Sequence, residues 1–251
     1  FEYDTIEGGV PRRLRKCETV LSRRTGRIII IVEKSTDVHN QLAILRTTEA
    51  FGIQNVWFID NPRQKTKSRK WEINSGMYTK VARSAPAWLS IRHFKTTKDA
   101  IKAAREEKRE IWATDLSQGA DKLTGESMEL PKKFALVVGR EADGVSSEML
   151  AAADKRVYLP LNGFAESLNL SVATALVIQK LFLYCPDMVG DMKDNERITL
   201  RRQWYMKLAK TQEQRDIYAK YVNNPPTPFS DLRRPNRHRI SWIRKKIKKK
   251  Q

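Results

Sequence analysis

The loop at residues 138–147, VGREADGVSS, places two glycines, two acids and two hydroxyl side chains directly after an apolar segment. Gly139 permits a ligand to approach the backbone closely, and Gly144 permits a turn with a positive φ. The order strand, glycine, turn, helix is common in α/β proteins, and the loop has neither the GxGxxG of a dinucleotide site nor the GKS/T of a P-loop. By itself it predicts a ligand-binding loop without specifying the ligand.

Three polar residues, Ser167, Asn169 and Ser171, stand at the start of an otherwise apolar segment further along the chain. N-capping of a helix explains one polar side chain at such a position. Because buried polar groups need hydrogen-bond partners, three of them suggest that a ligand or a neighbouring loop supplies the rest.

Apolar segments rich in β-branched residues predict the strands that position these loops. They are residues 27–32, 55–60, 110–114, 134–138 and 156–159. Helices are predicted at residues 11–24, 39–51 (with Asp37 as cap and Gly52 at the end), 97–108, 168–184 and 195–222. The alternation indicates a parallel α/β sheet, in which ligands bind at the carboxyl ends of the strands. Helix 168–184 is apolar on nearly every side, so we expect it to be buried, in part against a second subunit.

The chain carries a net charge of +19, which favours a polyanionic partner, and RNA, DNA or an anionic membrane would each satisfy it. The excess is concentrated, because residues 63–83 hold seven Lys or Arg and one acid, and residues 223–251 hold ten and one acid. Solubility is the alternative explanation for both segments. If they bind RNA, the expected contacts are Arg63, Lys65, Lys67, Arg69, Lys70, Arg244, Lys245 and Lys246.

Several other features of the sequence narrow the class of protein. No run of about 18 apolar residues is present, so neither a membrane span nor a membrane partner is expected. Cys17 and Cys185 stand far apart and indicate free thiols in a reducing, intracellular compartment, and the three histidines are too scattered for a metal site. The chain begins with Phe, as a mitochondrial or other organelle matrix protein would after removal of its transit peptide; a cytoplasmic location is the alternative.

Three motifs resemble those of the SpoU (TrmH) branch of the SPOUT methyltransferases. Residues 37–52, DVHNQLAILRTTEAFG, resemble motif one, with its Asn and, six residues later, its Arg. GREADGVS at 139–146 resembles motif two, and AESLNLSVATAL at 165–176 resembles motif three. The motifs occur in the family's order, and the resemblance extends from about residue 11 to residue 210. Arg140 departs from the pattern, because an uncharged residue often precedes the Glu of motif two.

The resemblance implies an α/β, parallel-sheet SPOUT fold with a C-terminal trefoil knot and helical extensions at both ends, and it implies that S-adenosylmethionine binds in the knot. The domains expected are a basic N-terminal extension (1–26), the methyltransferase domain (27–186), C-terminal helices (187–222) and a basic, proline-containing RNA-binding tail (223–251). The cofactor residues carried over are Gly139, Leu159 and Leu168 through their backbone, with Ser167 and Asn169 organising the site.

By the same resemblance the reaction is methyl transfer to the 2′-oxygen of a ribose in RNA. Arg46 is the candidate catalytic residue, and Asn40 and Glu141 position it or the ribose. The family's Arg is often described as a base, but a guanidinium with a pKa above about 12 rarely releases its proton. A charged Arg46 that holds a phosphate or stabilises alkoxide charge is therefore the alternative. Without the context of the three motifs, Arg46 would be interpreted as an ordinary surface arginine, and Glu141 as a carboxylate at a helix N-terminus.

The expected partners are structured RNA, tRNA or rRNA or a ribosomal particle, and a second subunit that is either the same chain or a paralogous SPOUT protein. The alternative function is an rRNA-binding ribosome-assembly factor with the same fold and little or no methyltransferase activity. The intact motifs favour the enzyme, whereas the basic tail with Trp242 favours extended contacts with a large RNA. A DNA-binding regulator is a third hypothesis, which no recognition-helix motif supports.

Overall fold

The computed structural model describes residues 10–61, 82, 85–124 and 128–230. The chain divides into two compact units: Arg23–Arg197 form one, and the described residues before and after that stretch form the other. The domain boundaries drawn from the sequence stay a prediction.

Within the described residues, seven strands form one sheet in the unit Arg23–Arg197, and every pairing is parallel. The strands are β1 (Thr25–Glu33), β2 (Ile53–Ile59), β3 (Ser90–Phe94), β4 (Glu110–Thr114), β5 (Asp121–Lys122), β6 (Phe134–Val138) and β7 (Lys155–Tyr158). Across the sheet their order is β3-β2-β1-β6-β4-β7-β5. The parallel α/β class predicted from the sequence is confirmed, and the trefoil knot stays a prediction.

The described residues of both units together form seven α-helices. They are α1 (Arg12–Leu21), α2 (Val38–Ala50), α3 (Thr97–Glu106), α4 (Ser147–Ala152), α5 (Leu170–Tyr184), α6 (Asp194–Leu208) and α7 (Gln212–Lys220). Helices α2 and α5 cover one face of the sheet, where Leu45 and Ile178 share a core with Ile30 of β1. Helices α3 and α4 cover the other face, where Met149 shares a core with Ile31. Strand β1 is therefore buried on both sides, which explains its continuous apolar run.

Helix α2 is delimited by the two residues that the sequence indicates. At its start, the side chain of Asp37 accepts a hydrogen bond of 2.7 Å from the backbone N–H of His39. At its end, Gly52 has a φ of +79°, and a Cβ there would lie 2.6 Å from the carbonyl oxygen of Arg23. Only glycine fits this position without strain. The two ends fix the residues that α2 presents to the carboxyl edge of the sheet.

Two strands were not predicted, and both lie at an edge of the sheet. Strand β3 is only partly buried, and β5 consists of two exposed residues. Edge strands lack the apolar run by which buried strands are recognised. The prediction of a single helix over 195–222 is wrong, since the chain forms two helices there, α6 and α7. The first helix ends at Leu208, and Thr211 caps the start of the second.

In the single chain, the expected burial of α5 is found on one side only; the other side is exposed, and its burial against a second subunit stays a prediction. Val172, Leu176 and Leu183 are 47%, 47% and 61% exposed. Spacings of four and seven residues place these side chains on one stripe of a helix. The opposite side, with Val177 and Ile178, is in the core of the sheet unit.

In the other unit, α1 and α6 are joined by a buried ion pair. The carboxylate of Glu18 accepts hydrogen bonds from Nε and Nη2 of Arg201 at 2.9 and 2.8 Å, and from the hydroxyl of Tyr205 at 2.7 Å. Burial and the hydrogen bond to Glu18 raise the pKa of Tyr205 far above its ordinary value. Because the charge of Glu18 is fully partnered, its burial is tolerated.

Candidate active site

A cavity of about 460 Å³ opens at the carboxyl ends of β4, β6 and β7. The loops after these strands and the first turns of α5 form its wall. The side chains on this wall include Asp115, Glu141, Leu159, Leu161, Glu166, Ser167, Leu168 and Val177. This edge is where parallel sheets bind ligands, and the volume lies within the roughly 300–1,000 Å³ of small-molecule sites. The mixture of apolar walls and a few polar groups fits an adenosyl cofactor.

Four of the five residues predicted to contact the cofactor, Gly139, Leu159, Ser167 and Leu168, line this cavity. The fifth is Asn169, the N-cap of α5, which stands next to the cavity wall in sequence. The contacts of these residues with a cofactor stay predictions.

Capping explains more of the polar residues at the start of α5 than the sequence suggested. Asn169 Oδ1 accepts hydrogen bonds from the backbone N–H of Ser171 at 3.0 Å and from its hydroxyl at 2.7 Å. Two of the three polar residues therefore partner each other, and Ser167 is the one that lines the cavity.

Gly139 is required by the loop itself. A Cβ at this position would lie 2.0 Å from the carbonyl carbon of Gly144 and 2.3 Å from the nitrogen of Val145. Two backbone hydrogen bonds of 2.9 and 3.1 Å between Arg140 and Gly144 close the turn. Arg140, the departure from the family pattern, pairs with Asp143 in the same turn. The space beside Gly139 is thus filled by the protein's own backbone, a reason for glycine that the sequence analysis did not identify.

The structure brings two of the three predicted catalytic residues together. Asn40 Nδ2 donates a hydrogen bond of 2.6 Å to Oε1 of Glu141, and the hydroxyl of Ser35 lies 3.5 Å from the same oxygen. Asn40 is buried in α2, whereas Glu141 is exposed on the cavity wall. A buried amide therefore holds a carboxylate in place at the cavity.

Arg46 is not part of this pair within the single chain. It lies six residues after Asn40 on α2, which places it about 240° around the helix axis and about 9 Å along it. Its side chain is exposed and does not line the cavity. Its catalytic role stays a prediction.

A further carboxylate on the cavity wall was not predicted. Asp115 follows β4 and accepts hydrogen bonds from the backbone and hydroxyl of Ser117 and from Nη1 of Arg156. Burial alone would raise the pKa of Asp115, but these hydrogen bonds and the charge of Arg156 outweigh it and lower the pKa. Its place directly after a buried strand, like that of Gly139, was the signal available in the sequence.

The residues predicted to contact RNA lie outside the described part of the chain. They are Arg63, Lys65, Lys67, Arg69, Lys70, Arg244, Lys245 and Lys246.

Within the described ranges, no group of three or more His, Cys, Asp or Glu side chains is placed to hold a metal ion. In that same part, no helix has the length and apolar character needed to span a membrane.

Residues 27–179 match the model of the SpoU rRNA methylase family. The tRNA (guanosine(18)-2'-O)-methyltransferase of Borreliella burgdorferi is 29% identical over 197 residues, 78% of this chain and 85% of that protein. The 23S rRNA (guanosine(2553)-2'-O)-methyltransferase RlmP of Bacillus subtilis is 29% identical over 162 residues, 62% of this chain and 58% of that protein. The crystal structure of the A. aeolicus TrmH/SpoU tRNA modifying enzyme has a TM-score of 0.63 at 26% identity, covering 79% of this chain and 96% of that one.

The family match covers more than half of the chain and contains all three motifs and the whole cavity wall. The family, the enzyme class and the methyl donor predicted from the motifs are confirmed. The chain belongs to the SpoU rRNA methylase family of S-adenosylmethionine-dependent RNA 2′-O-methyltransferases.

Proposed function

We propose that this enzyme methylates a ribose of structured RNA, tRNA or rRNA, at the mouth of the cavity beside Glu141. The contact between Asn40 and Glu141 carries the proposal, because it fixes a carboxylate on the wall of a cavity that fits the cofactor. The apolar side chains of Leu159 and Leu168 suit an adenosyl group, and the few polar groups would fix its orientation.

The chemistry requires a ribose hydroxyl held against an activated methyl group, and the hydroxyl proton is released to solvent water at the mouth of the cavity as the bond between oxygen and methyl forms. S-adenosylmethionine, when bound, supplies that methyl on a positively charged sulfonium. Glu141 is placed to orient the ribose, because Asn40 holds one of its oxygens and the side chain faces the cavity. The reacting oxygen must lie about 3–3.5 Å from the methyl carbon. Asp115 and Glu166 on the same wall give it a negative potential that suits a cationic cofactor.

Arg46 acts on the RNA in this proposal. Its exposed position on α2 suits contact with a substrate docked on the protein surface. A guanidinium keeps its proton, so we assign Arg46 to hold a phosphate or to stabilise negative charge on the ribose oxygen rather than to act as a base. The planar, bidentate fork of arginine matches a phosphate better than the point charge of lysine does.

The two classes of RNA are supported by different relatives. One relative is named for a tRNA guanosine and another for a 23S rRNA guanosine, at the same 29% identity. A ribosome-assembly factor without activity is disfavoured, because the three motifs are intact and these relatives are named as methyltransferases. A ribosomal particle as substrate and an intracellular location, organellar or cytoplasmic, stay predictions.

We also propose that the enzyme is a dimer through α5, with a second copy or a paralogous chain. The exposed stripe of Val172, Leu176 and Leu183 supports this, because contiguous apolar surface of this kind is typical of an interface. Helix α5 begins at the cofactor cavity, so a partner docked on it would bring its own basic surface next to the site.

The proposal is tested by transfer of labelled methyl from S-adenosylmethionine to tRNA and to rRNA, followed by mapping of 2′-O-methylated positions in cells with and without the protein. We expect label at a 2′-oxygen in one RNA class, and a mapped position that depends on the protein. Arg46→Ala should lose transfer by orders of magnitude with normal cofactor affinity, and Arg46→Lys should also be poor. Lys98→Ala, an exposed cation on α3, is the matched control. Cofactor binding without transfer to either RNA would support the assembly-factor alternative.

A further inference from the structure

A buried carboxylate at the carboxyl end of β1 has no part in the mechanism above. Glu33 is 1% exposed. Its Oε1 accepts hydrogen bonds from the hydroxyls of Ser146 and Thr97, each at 2.6 Å, and its Oε2 accepts one from the backbone N–H of Ser146 at 2.8 Å. The ammonium group of Lys34 lies 3.8 Å from Oε1. A buried carboxylate needs such partners, and two of its three hydrogen bonds come from Ser146.

Ser146 ends the loop 139–146, which forms part of the cavity wall. Its hydroxyl oxygen also accepts a hydrogen bond of 3.3 Å from the backbone N–H of Met149 and so caps α4. Near the other end of the loop, Glu141 is held by Asn40. Glu33 is the last residue of β1 and Asn40 lies in the first turn of α2, so the two anchors stand at either end of the stretch that joins β1 to α2. This one stretch therefore fastens the loop at two points.

The turn that contains Glu141 is closed on itself and ends two residues before Ser146. The paired backbone hydrogen bonds between Arg140 and Gly144 form a tight turn, and the backbone of Gly144 fills the space beside Gly139. A turn closed in this way moves as a unit, so a restraint at Ser146 also restrains Glu141. Release of Ser146 would remove one of the two anchors and leave the loop fastened to α2 through the hydrogen bond between Asn40 and Glu141.

We propose that Glu33 is a positioning residue for methyl transfer: through Ser146 it holds the loop 139–146 in the conformation that forms the cavity wall and presents Glu141. The proposal rests on the cofactor cavity assigned above. The competing explanation is that Glu33 only stabilises the fold by joining β1 to α3 and α4. Thr97 separates the two, because it bonds the same carboxylate from α3 and is not itself part of the loop.

The test compares Glu33→Gln and Ser146→Ala with Thr97→Val as the matched control. Calorimetry measures the affinity for S-adenosylmethionine, thermal unfolding measures stability, and hydrogen exchange measures opening of the amides of residues 140–146. Glu33→Gln cannot accept hydrogen bonds at both side-chain atoms, so we expect roughly tenfold weaker cofactor binding, faster exchange in the loop and a lower turnover on RNA. Thr97→Val should lower the unfolding temperature while cofactor affinity and loop exchange stay at wild-type values.

Two outcomes would overturn the proposal. One is wild-type affinity and exchange in Glu33→Gln; the other is an equal loss of affinity in Thr97→Val. If Glu33→Gln does not fold, Ser146→Thr against Ser146→Ala replaces it, since the threonine keeps the hydroxyl and should keep the affinity. Wild-type protein that does not bind S-adenosylmethionine would instead remove the cavity assignment. Hydrogen exchange separates this outcome from a failure of the proposal on Glu33. If the loop exchanges slowly in wild type and fast in Ser146→Ala, Ser146 still holds the loop even though the cavity does not bind the cofactor.

Discussion

Asn40 donates a hydrogen bond of 2.6 Å to Glu141 across a sequence separation of 101 residues. The donor is a buried amide on α2, and the acceptor is a carboxylate on the cavity wall. Motif one and motif two of the family therefore meet in this contact. The contact links the helix that carries Arg46 to the loop that lines the cofactor cavity.

Asn40→Ala should reduce turnover on RNA by one to two orders of magnitude, because Glu141 loses the donor that orients it. Affinity for S-adenosylmethionine should fall less than turnover does, since Asn40 does not line the cavity and Ser146 still anchors the loop. Single-turnover transfer and calorimetry measure the two quantities.

Asn40→Asp is the informative companion, because two carboxylates at this distance share a proton. The transfer rate of Asn40→Asp should recover as the pH is lowered, whereas the rate of Asn40→Ala should not. Parallel pH profiles of the two variants would show that loss of the hydrogen bond to Glu141 is not the cause of the lower turnover.

Gly139→Ala should displace the cavity loop, because its Cβ would meet the backbone of Gly144 and Val145. We expect a loss of about 1–3 kcal/mol of unfolding free energy from the forced backbone shift and loss of measurable cofactor binding. Gly163→Ala is the matched control on the other cavity loop, where a Cβ would meet nothing within 4 Å. Denaturant unfolding measures the unfolding free energy of both variants, and calorimetry measures their affinity for S-adenosylmethionine. Normal cofactor affinity in Gly139→Ala would show that the loop adapts.

The sequence predicted the centre of the fold better than its edges. The runs of β1 and β6 are apolar because helices cover both faces, and this signal is local. Strands β3 and β5 lie at the edges and are partly or fully exposed, so nothing in their composition marks them. The start of α5 was predicted, but the pairing of Asn169 with Ser171 depends on side-chain geometry that spacing does not give.

The site was predicted in part, through its motifs. Four of the five proposed cofactor residues line the cavity, because motifs two and three follow β6 and β7, whose carboxyl ends lie on either side of β4 at the same end of the parallel sheet. Asp115 and Glu33 were missed, since each looked like the polar end of a strand. Their roles depend on partners far away in sequence, such as Ser146, which only the folded chain brings near. The six-residue spacing of Asn40 and Arg46 does not by itself say where the two side chains lie. Only when both residues are placed on one helix does the spacing put Arg46 on a different side from Asn40.

Leu176→Glu should convert a dimer to a monomer, because it places a charge in the middle of the exposed stripe of α5. Light scattering at micromolar concentration should give twice the chain mass of 29.1 kDa for the wild type and the single mass for the variant. Ile217→Glu adds the same charge at another exposed apolar residue, 38% exposed, and should leave the wild-type mass unchanged. A monomeric wild type would exclude a homodimer and leave a paralogous partner as the remaining hypothesis.

Asp154→Asn should destabilise the protein more at neutral pH than in acid. The carboxylate accepts hydrogen bonds from Arg105 and from the backbone N–H of Ile111. Burial alone would raise the pKa of Asp154, but these contacts outweigh it, so its pKa lies below the ordinary 3.8. Its ionised form therefore adds stability above about pH 4, and the addition is lost as the pH falls through the lowered pKa.

Denaturant unfolding of wild type and Asp154→Asn at pH 7 and at pH 3 measures this effect. The difference in unfolding free energy between the two proteins should shrink at the lower pH. In an Arg105→Ala background the same substitution should cost less at pH 7, because the main donor has already been removed. A difference that is the same at both pH values would show that the charge of Asp154 is not responsible.

The first residues of the basic tail (223–251), which precede its cations, are fastened to α1. The backbone N–H of Phe229 donates a hydrogen bond of 2.8 Å to the hydroxyl of Thr19, and the guanidinium of Arg15 lies 4.2 Å from the centre of the Phe229 ring. Arg15 Nε also donates to the carbonyl of Thr227 at 3.0 Å. A truncation that tests the tail should therefore begin after Ser230, so that these contacts remain while all ten Lys and Arg residues of the tail are removed.

Deletion of residues 231–251 removes ten Lys or Arg and one acid. If these cations neutralise phosphates, RNA binding should weaken and its dependence on salt should flatten, with the slope of log affinity against log salt falling by roughly 0.7–0.9 for each phosphate that is no longer neutralised. Affinity for S-adenosylmethionine should stay unchanged, because the cavity is formed by residues 114–177. Titrations of both proteins with tRNA and with an rRNA fragment at two salt concentrations measure the slopes. A full-length variant with the ten cations changed to Gln controls for chain length and should behave like the truncation. Equal slopes for all three proteins would mean that the tail serves solubility or targeting, and the preference for a large RNA inferred from it would be lost as well.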